Sequence, residues 1–434
     1  MSKWPRGAPE GAPEMDGAGV RLPAGARTRQ WNRIAVGGLW ETAWVRSAAL
    51  AGVVALALIL TAWVYYVRWG FDHRPWGDRQ QASPVPIWLA FNDLGYLFAA
   101  RVGDQADAVA PIGYDGQFYY YMAQDPSVLF ECARGPERCP IDASLLRAER
   151  ILYPMTARLL ALGDPAALHV VLFAINFASI VITAVVVGWL CVAAGASRWL
   201  GAAAAVYCGE LQGLLHDLAD PYAVLWTVLA VAFLRMRRPL LCGAAVAAAA
   251  LTREQLVFVL PLLVLPWLAQ RQWRPALLFL VVALGPFVAW QAALRAIFGH
   301  WGLEGSFAST RGVHLPFAGL WAQRSTSEFG DMVIFVAVPL VCAGLVALAW
   351  MRRHGVRALL ADPVPLVVLV TVALATVTDA HEWEGVGGSA RLVASGIALG
   401  VVVACDIAPS LRRSYAAVVG ATALATFVLP PLLF

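Results

Sequence analysis

Long apolar runs, separated by short polar connections, make up most of the chain after residue 47. A helix needs about 20 predominantly apolar residues to cross the hydrocarbon core of a bilayer, and many of these runs approach that length. The pattern predicts an all-α polytopic membrane protein with about eleven spanning helices. The predicted spans cover residues 48–67, 167–194, 199–216, 221–236, 239–252, 255–269, 275–298, 331–351, 363–379, 391–406 and 414–433.

Two polar regions near the start of the chain interrupt this pattern. Residues 1–47 are rich in Gly, Ala, Pro and Arg and have no apolar period, which predicts a disordered basic arm. Residues 68–166 lie between the first two spans. Their apolar run 85–100 is short for a span, so we expect an interfacial or re-entrant helix there. Leucines at helical spacing after Asp142 predict an amphipathic helix, which Pro154 should kink or split.

Composition and charge support a membrane protein and suggest its orientation. The chain is 60% hydrophobic and 14% charged, whereas a soluble domain is about half apolar and a quarter charged. Basic residues concentrate in alternate connections, on the same side as the arm, and the positive-inside rule places that side in the cytoplasm. The run 239–269 has basic residues at both ends, so we expect a hairpin of two short helices. Its outer tip would carry Arg253 and Glu254.

The segment 111–121, Pro-Ile-Gly-Tyr-Asp-Gly-Gln-Phe-Tyr-Tyr-Tyr, is unusual in so hydrophobic a chain. An ionised carboxylate can remove a proton from a sugar hydroxyl, and nearby glycines let the backbone approach a ligand. We therefore interpret Asp115 as a candidate catalytic base. Aromatic rings suit a sugar face or a membrane boundary, so the candidate substrate contacts are Tyr114, Gln117 and Tyr119. The alternative is a surface turn, but the predicted outer location favours a functional role.

Arginines on the same predicted side are candidates for binding a phosphate. Arg147 and Arg150 are three residues apart and share one face of a helix, where two guanidiniums could grip a phosphate or diphosphate. The alternative is a solvated face that pairs with Glu149 or with lipid headgroups. Arg253 could bind a phosphate, with Glu254 holding the arginine in place. The alternative is that the two residues form only an ion pair at the hairpin tip.

Two further positions lie at span ends on that side. His216 and Asp217 could bind a divalent ion or a sugar; the alternative is a helix cap, which is favoured for Asp220 because it precedes Pro221. Arg391 follows a pair of glycines and opens a predicted span, a position that suits an anion at a helix N-terminus. Its alternative is an arginine that snorkels to the interface.

The cysteines and the nucleotide and metal motifs narrow the function further. Five of the seven cysteines lie in apolar runs, where they behave as small hydrophobes. Cys132 and Cys139 share the long loop and could form a disulfide if that loop is extracytoplasmic. The chain has no P-loop, no Rossmann fingerprint, no GxSxG, no HExxH and no zinc spacing. These absences argue against an ATP-driven pump, a dehydrogenase, an α/β hydrolase and a zincin.

The first-loop motif resembles the GT-C glycosyltransferase superfamily, and within it a bacterial branch implicated in cell-surface glycopolymer formation. The resemblance rests on Tyr114-Asp115-Gly116-Gln117-Phe118-Tyr119-Tyr120, on Asp125-Pro126 and on Arg150-Ile151-Leu152-Tyr153-Pro154. Beyond these residues it is topological only. It implies a GT-C-like bundle over residues 48–434 in the bacterial plasma membrane. Residues 68–166 would then form the extracytoplasmic catalytic loop.

The resemblance also implies an activity. Such enzymes pass a sugar from a polyprenyl-phosphate donor to a glycan, lipid or protein acceptor on the outer face. We expect inversion at the sugar, with Asp115 as general base and the leaving phosphate met by Arg391, Arg253 or Arg150. The first loop lacks an Asp-x-Asp or Glu-x-Asp pair, so we expect no cofactor, and a divalent metal stays an open alternative. We expect no large C-terminal soluble domain and no nucleic-acid partner.

Two other functions are consistent with the same sequence. A transporter or flippase of lipid-linked sugars should show internal repeats and charged or broken helices near the midplane. We find no clear inverted repeat, and the predicted spans are nearly free of charge. The other alternative is a non-catalytic assembly protein of the envelope glycan. The concentration of polar groups on the side of Asp115 argues mildly against it.

Overall fold

The computed structural model describes residues 50–60, 115–135, 138–141, 143–309, 314–383, 385–407 and 409–428. Within these ranges every regular element is a helix, which confirms the all-α prediction. The predicted arm 1–47, the predicted interfacial helix 85–100 and Tyr114 lie outside the described residues.

Short helices make up the described part of the segment between the first two predicted spans. Helix α1 (Leu50–Leu60) is a short apolar helix within the first predicted span. It is followed by α2 (Gly116–Gln124), α3 (Val128–Arg134), α4 (Ser144–Glu149) and α5 (Leu152–Leu160). The predicted amphipathic helix is therefore split in two. Pro154 lies in the first turn of α5, where its missing N–H group removes no hydrogen bond of the helix.

The described residues after 164 form the helical bundle. Its α-helices are α6 (Pro165–Ala193), α7 (Leu200–Ala205), α8 (Cys208–Leu215), α9 (Asp220–Arg235), α10 (Pro239–Thr252), α11 (Leu265–Ala269), α12 (Trp273–Phe298), α13 (Gly302–Ser309), α14 (Ala318–Ala322), α15 (Phe329–His354), α16 (Val364–Thr376), α17 (Gly385–Ala404) and α18 (Pro409–Val428). Among the described residues, α6, α12 and α15 are long and apolar enough to cross a membrane. The larger number of about eleven spans stays a prediction.

Prolines mark the starts of several of these helices. Pro165, Pro221, Pro239 and Pro365 each occupy one of the first two positions of a helix. A proline suits these positions because its fixed φ is helical and its missing N–H group would have no partner there. At α6 the Asp164 carboxylate also accepts a hydrogen bond from the Ala166 N–H group at 3.0 Å, which caps the helix.

The predicted span 199–216 is broken in the middle. Helix α7 ends before Val206, and α8 begins after Tyr207, whose ψ of 146° is not helical. The Tyr207 hydroxyl donates to the Phe335 carbonyl at 2.8 Å, inside a π-helical turn of α15. The first turn of α8 carries Glu210, which is buried. The prediction of one continuous helix over 199–216 is therefore wrong, and this predicted span contains a buried acid.

The predicted break at the centre of 239–269 is present. Helix α10 ends at Thr252, and Arg253 adopts an extended conformation. The second predicted helix is replaced by two 3-10 segments, Glu254–Phe258 and Leu260–Val264, followed by the short helix α11. Arg253 and Glu254 are buried, not exposed at a tip.

The Asp115 motif forms part of the protein interior. Helix α2 begins directly after Asp115, and Phe118 and the three tyrosines after it are all nearly inaccessible. They form a second apolar core with residues of α3, α5 and α6, separate from the main core of the bundle. A surface turn is therefore not the environment of this motif.

A disulfide ties down the chain between α3 and α4. Cys132, in α3, is bonded to Cys139, seven residues later, which confirms the predicted bridge. The other five cysteines are free thiols, and four of them are buried. The disulfide therefore joins α3, which belongs to the second core, to the chain that leads to α4.

Candidate functional site

Asp115 lies at the N-terminus of α2, with its carboxylate directed at two arginines. Arg147 binds it with both ends of its guanidinium: Nη2 lies 2.7 Å from Oδ1 and Nη1 lies 2.8 Å from Oδ2. Nη1 of Arg391 lies 3.3 Å from Oδ2. Burial alone would raise the pKa of Asp115, but the charges of Arg147 and Arg391 outweigh it and hold the pKa well below its usual range.

Arg147 is positioned by the packing of α4 against α12. Trp290 donates to the Ala148 carbonyl at 2.8 Å, and Gln291 donates to Oε1 of Glu149 at 2.7 Å. The Arg147 guanidinium also lies over the Phe118 ring, 5.2 Å from its centre. Both its orientation and its apolar contact are therefore set by neighbouring helices.

Arg391 reaches Asp115 from the second turn of α17. The helix begins at Gly385, six residues earlier than the predicted span, so Arg391 does not open it. The predicted anion site at a helix N-terminus is therefore wrong as an explanation of this residue. Its side chain is only 14% exposed and lies between two acids, 3.3 Å from Asp115 and 4.0 Å from Asp220. It is therefore part of the buried cluster and not an arginine that snorkels to the interface.

Asp220 belongs to an ion pair, not to a helix cap. It is the first residue of α9, whose cap is Ala219 with no side-chain hydrogen bond. Its carboxylate accepts from Nη1 of Arg253, and both side chains are less than 10% exposed. Sequence reasoning left Asp220 out of the binding residues because an acid before proline at a helix start is a common capping pattern.

Arg150 and Glu254 form a second buried pair beside this one. Nε and Nη2 of Arg150 lie 2.9 and 3.0 Å from the two carboxylate oxygens of Glu254. Nη1 of Arg150 also donates to the Tyr119 hydroxyl at 3.4 Å. Burial would raise the pKa of Glu254, but Arg150 outweighs it and lowers the pKa. The pair joins the first loop to the end of α10.

Gln117 and Tyr119 are buried in the second core. Each is about 1% exposed, and the Tyr119 ring packs edge-on against Tyr153 at 5.5 Å. Their side chains therefore offer no open surface on which a sugar could stack. Tyr119 instead supports Arg150.

His216 and Asp217 lie behind Asp115, in the link between α8 and α9. A Cβ atom on Gly116 would lie 2.1 Å from the His216 carbonyl oxygen, so only glycine allows α2 to approach this link. Asp217 is fully buried, and its carboxylate oxygens have no hydrogen-bond partner among the described residues. Burial raises the pKa of Asp217, which favours the neutral acid. Among the described residues, no three His, Cys, Asp or Glu side chains are grouped for a metal ion.

A cavity opens beside the arginines. It is small, with a volume of about 40 Å³ open to water-sized molecules, and lies between α9, the segment Glu254–Phe258, α16 and α17. Its wall combines charged and apolar side chains, among them Asp220, Arg253, Arg391, Val224, Val259 and Leu374. The cavity therefore offers both guanidinium groups and an apolar surface to one ligand.

Glu210 is a buried acid that sequence reasoning missed. It is 1% exposed, and its carboxylate oxygens have no partner among the described residues. Its neighbour Gly209 packs against the backbone just before Arg391: a Cβ atom there would lie 2.4 Å from the Ala390 carbonyl oxygen. The signal was an acid inside the apolar run 199–216, since ionisable residues within membrane spans are costly and usually functional.

Comparisons with known proteins do not identify the chain. No family model matches it, and neither the curated proteins nor the solved structures contain a significant match.

Proposed function

We propose that this protein is a membrane glycosyltransferase that moves a sugar from a polyprenyl-phosphate donor to an acceptor hydroxyl. The observation that carries the proposal is the contact of Asp115 with Arg147 and Arg391, together with the position of Arg391 and Arg253 in the wall of the cavity. These residues come from four distant parts of the chain. A general base, phosphate-binding groups and an apolar wall are the parts that such a transfer needs.

The charges of the cluster favour an anionic ligand. Three guanidiniums, of Arg147, Arg253 and Arg391, face two carboxylates, of Asp115 and Asp220, so these side chains together carry a net positive charge. The Arg150–Glu254 pair is internally neutral. A phosphate group would balance this charge, and guanidiniums bind phosphate oxygens in a fixed fork. The apolar side chains of the cavity wall suit contact with an apolar chain attached to that phosphate.

The proposed reaction is a single displacement with inversion. The acceptor hydroxyl gives its proton to Asp115, and its oxygen forms a bond to the anomeric carbon of the sugar. The bond between that carbon and the phosphate oxygen breaks, and its electron pair leaves with the polyprenyl phosphate. Arg391 and Arg253 stabilise the charge that develops on the leaving phosphate.

Lipid analysis of whole cells tests the proposal whichever sugar is transferred. We expect a deletion strain and an Asp115→Asn strain to accumulate the same polyprenyl-phosphate sugar, and to lose one surface glycan, by mass spectrometry. A strain with Glu304→Gln, a change at an exposed acid far along the sequence, serves as the matched control. If the deletion strain contains the same lipid-linked sugars and surface glycans as the parent, the proposal is wrong.

A second candidate function, transport of a lipid-linked sugar, is favoured by the break between α7 and α8. Transporters commonly carry broken helices and buried ionisable groups at their substrate sites, and Glu210 lies in the first turn after this break. Vesicles that contain the purified protein separate the two functions. A transporter would move labelled lipid between leaflets and lose this activity in Glu210→Gln, whereas a transferase would form product without net movement.

A further inference from the structure

The carboxylate of Asp115 is largely occupied by cations. A carboxylate can accept about four hydrogen bonds. Oδ1 already accepts from Arg147, and Oδ2 accepts from both Arg147 and Arg391. A carboxylate held by two guanidiniums is a weak base, because each positive charge favours the ionised form. A base that must remove a hydroxyl proton therefore has to lose part of this binding first.

The two arginines do not hold Asp115 equally. Arg147 makes two contacts of 2.7 and 2.8 Å, and its guanidinium is stacked on the Phe118 ring. Arg391 makes one longer contact of 3.3 Å and lies 4.0 Å from a second acid, Asp220. Arg391 also lines the cavity with Arg253. It is therefore the partner that a ligand can reach and displace at the smaller energetic cost.

We propose that Arg391 is shared between Asp115 and the phosphate of the donor, so that donor binding frees Oδ2 of Asp115 for the acceptor hydroxyl. This inference rests on the proposed function. Arg391 thereby acts as a positioning residue for the base as well as a ligand of the phosphate. Arg147 keeps the freed carboxylate in its orientation. With this arrangement the donor binds first and the acceptor binds second.

The groups around Asp115 determine the sign of the effect. Among the described residues, the charged and titratable groups near it are Arg147 and Arg150 at the end of α4, Arg391 of α17, and His216 and Asp217 after α8, with Asp220 of α9 beyond Arg391. A phosphate that takes Arg391 removes one cation and adds a nearby negative charge. Both changes favour the protonated carboxyl, so the pKa of Asp115 rises when the donor phosphate binds.

Carbodiimide labelling measures this change directly, because the reagent reacts with protonated carboxyls. The full-length protein in lipid nanodiscs is labelled between pH 5 and 7, with and without farnesyl phosphate, and adducts are located by peptide mass spectrometry. We expect labelling at Asp115 to rise by about tenfold for each unit by which its pKa increases. The exposed Glu304 provides an internal reference whose labelling stays constant.

Variants of Arg391 test whether it acts on Asp115 as well as on the phosphate. In Arg391→Gln the carbodiimide should label Asp115 even without ligand, and farnesyl phosphate should increase that labelling little. Arg391→Lys should behave the same way to a smaller extent, since it keeps the charge and loses the fork. Arg413→Gln, at an exposed cation of α18, should match the parent. Size-exclusion profiles that match the parent show that each variant is folded.

Two contrary results have different meanings. If farnesyl phosphate binds, by tryptophan fluorescence or calorimetry, and Asp115 labelling does not change, the inference is wrong and the proposed transferase stands. If farnesyl phosphate does not bind at all, the donor site is wrong, and both the inference and the proposed function fail.

Discussion

The protein contains a buried cluster of charged side chains at each end of α9, and the two clusters differ in net charge. At one end, Asp220 belongs to the cluster around Asp115, where three guanidiniums face two carboxylates beside a cavity. At the other end, Arg235 lies between Asp362 and Asp406, one cation between two acids. The second cluster ties α9 to the chain before α16 and the chain after α17. The first presents a net positive charge to a cavity, which is the property of a site for an anion.

The two clusters also support the predicted arrangement of the connections. Arg235, Asp362 and Asp406 all come from the set of connections that carries the basic residues, and they meet at one end of the bundle. The residues of the Asp115 cluster come from the opposite set and meet at the other end. For these residues, the set of connections to which each was assigned agrees with the end of the bundle at which it lies.

The sharpest test of this difference replaces one acid in each cluster. We expect Asp115→Asn to reduce sugar transfer by about 100-fold or more, because asparagine cannot accept the proton. Asp362→Asn should lower stability but leave the rate per folded molecule near that of the parent. The measurement is single-turnover transfer with the donor identified from the deletion strain. Equal losses of rate in the two variants would mean that the clusters have the same, structural role.

Removal of an arginine from a buried pair should reduce stability most where the remaining acid is most buried. Arg150→Met leaves Glu254, 1% exposed, without its partner, and should lower the free energy of unfolding by about 3–5 kcal/mol. Arg235→Met leaves acids that are 13% and 18% exposed, so water reduces the loss. Denaturant titration in micelles compares the two variants. The reverse order would show that burial does not decide the strength of these pairs.

Variants of Arg391 should affect donor binding in proportion to what they remove. Arg391→Ala should weaken the binding of a polyprenyl-phosphate ligand by about 10- to 100-fold, the equivalent of one charge-assisted hydrogen bond. Arg391→Lys should weaken it less, since it keeps the charge but not the bidentate geometry. Asp115→Asn should leave binding intact or tighter. Arg235→Lys, in the other cluster, is the control, and a loss of affinity there would point to a general effect on folding.

Gly116→Ala should have the smallest effect and should act through packing. The added methyl would meet the His216 carbonyl, so the backbone must shift at a cost of about 1–3 kcal/mol in stability. Gly285→Ala in α12 has open space around the new atom and should be neutral or stabilising. Thermal unfolding of both variants gives the comparison. A Gly116→Ala protein as stable as the parent would show that α2 and the link after α8 can separate freely.

The residues of the candidate site could be predicted from the sequence, but the pairs that they form could not. Charged residues are rare in this chain, so Asp115, Arg147, Arg253 and Arg391 stood out against their apolar surroundings. Their partners could not be predicted, because Arg391 and Asp115 are 276 residues apart and no local pattern records such a contact. Arg150 and Glu254 were placed in separate candidate sites, although they bind each other.

Two errors in the fold concern where a helix begins and where one breaks. The predicted span began at Arg391, just after a pair of glycines. In the structure the helix begins at Gly385, and Arg391 lies within it beside two acids, Asp115 and Asp220. The break between α7 and α8 depends on Tyr207 and its contact with α15, which is a property of the folded bundle and not of the run 199–216.

Helix α9 is held by ion pairs at both ends, so it can serve as a reference for measuring the movement of other helices. Its 16 residues span roughly 22 Å, at about 1.5 Å per residue. Asp220 anchors one end and Arg235 the other, so a slide by one turn, about 5.4 Å, would break the ion pairs at both ends at once. Spin labels or fluorophores on α9 therefore make the natural reference frame. Distances from this frame to α2 or α17 would report movement of those helices alone.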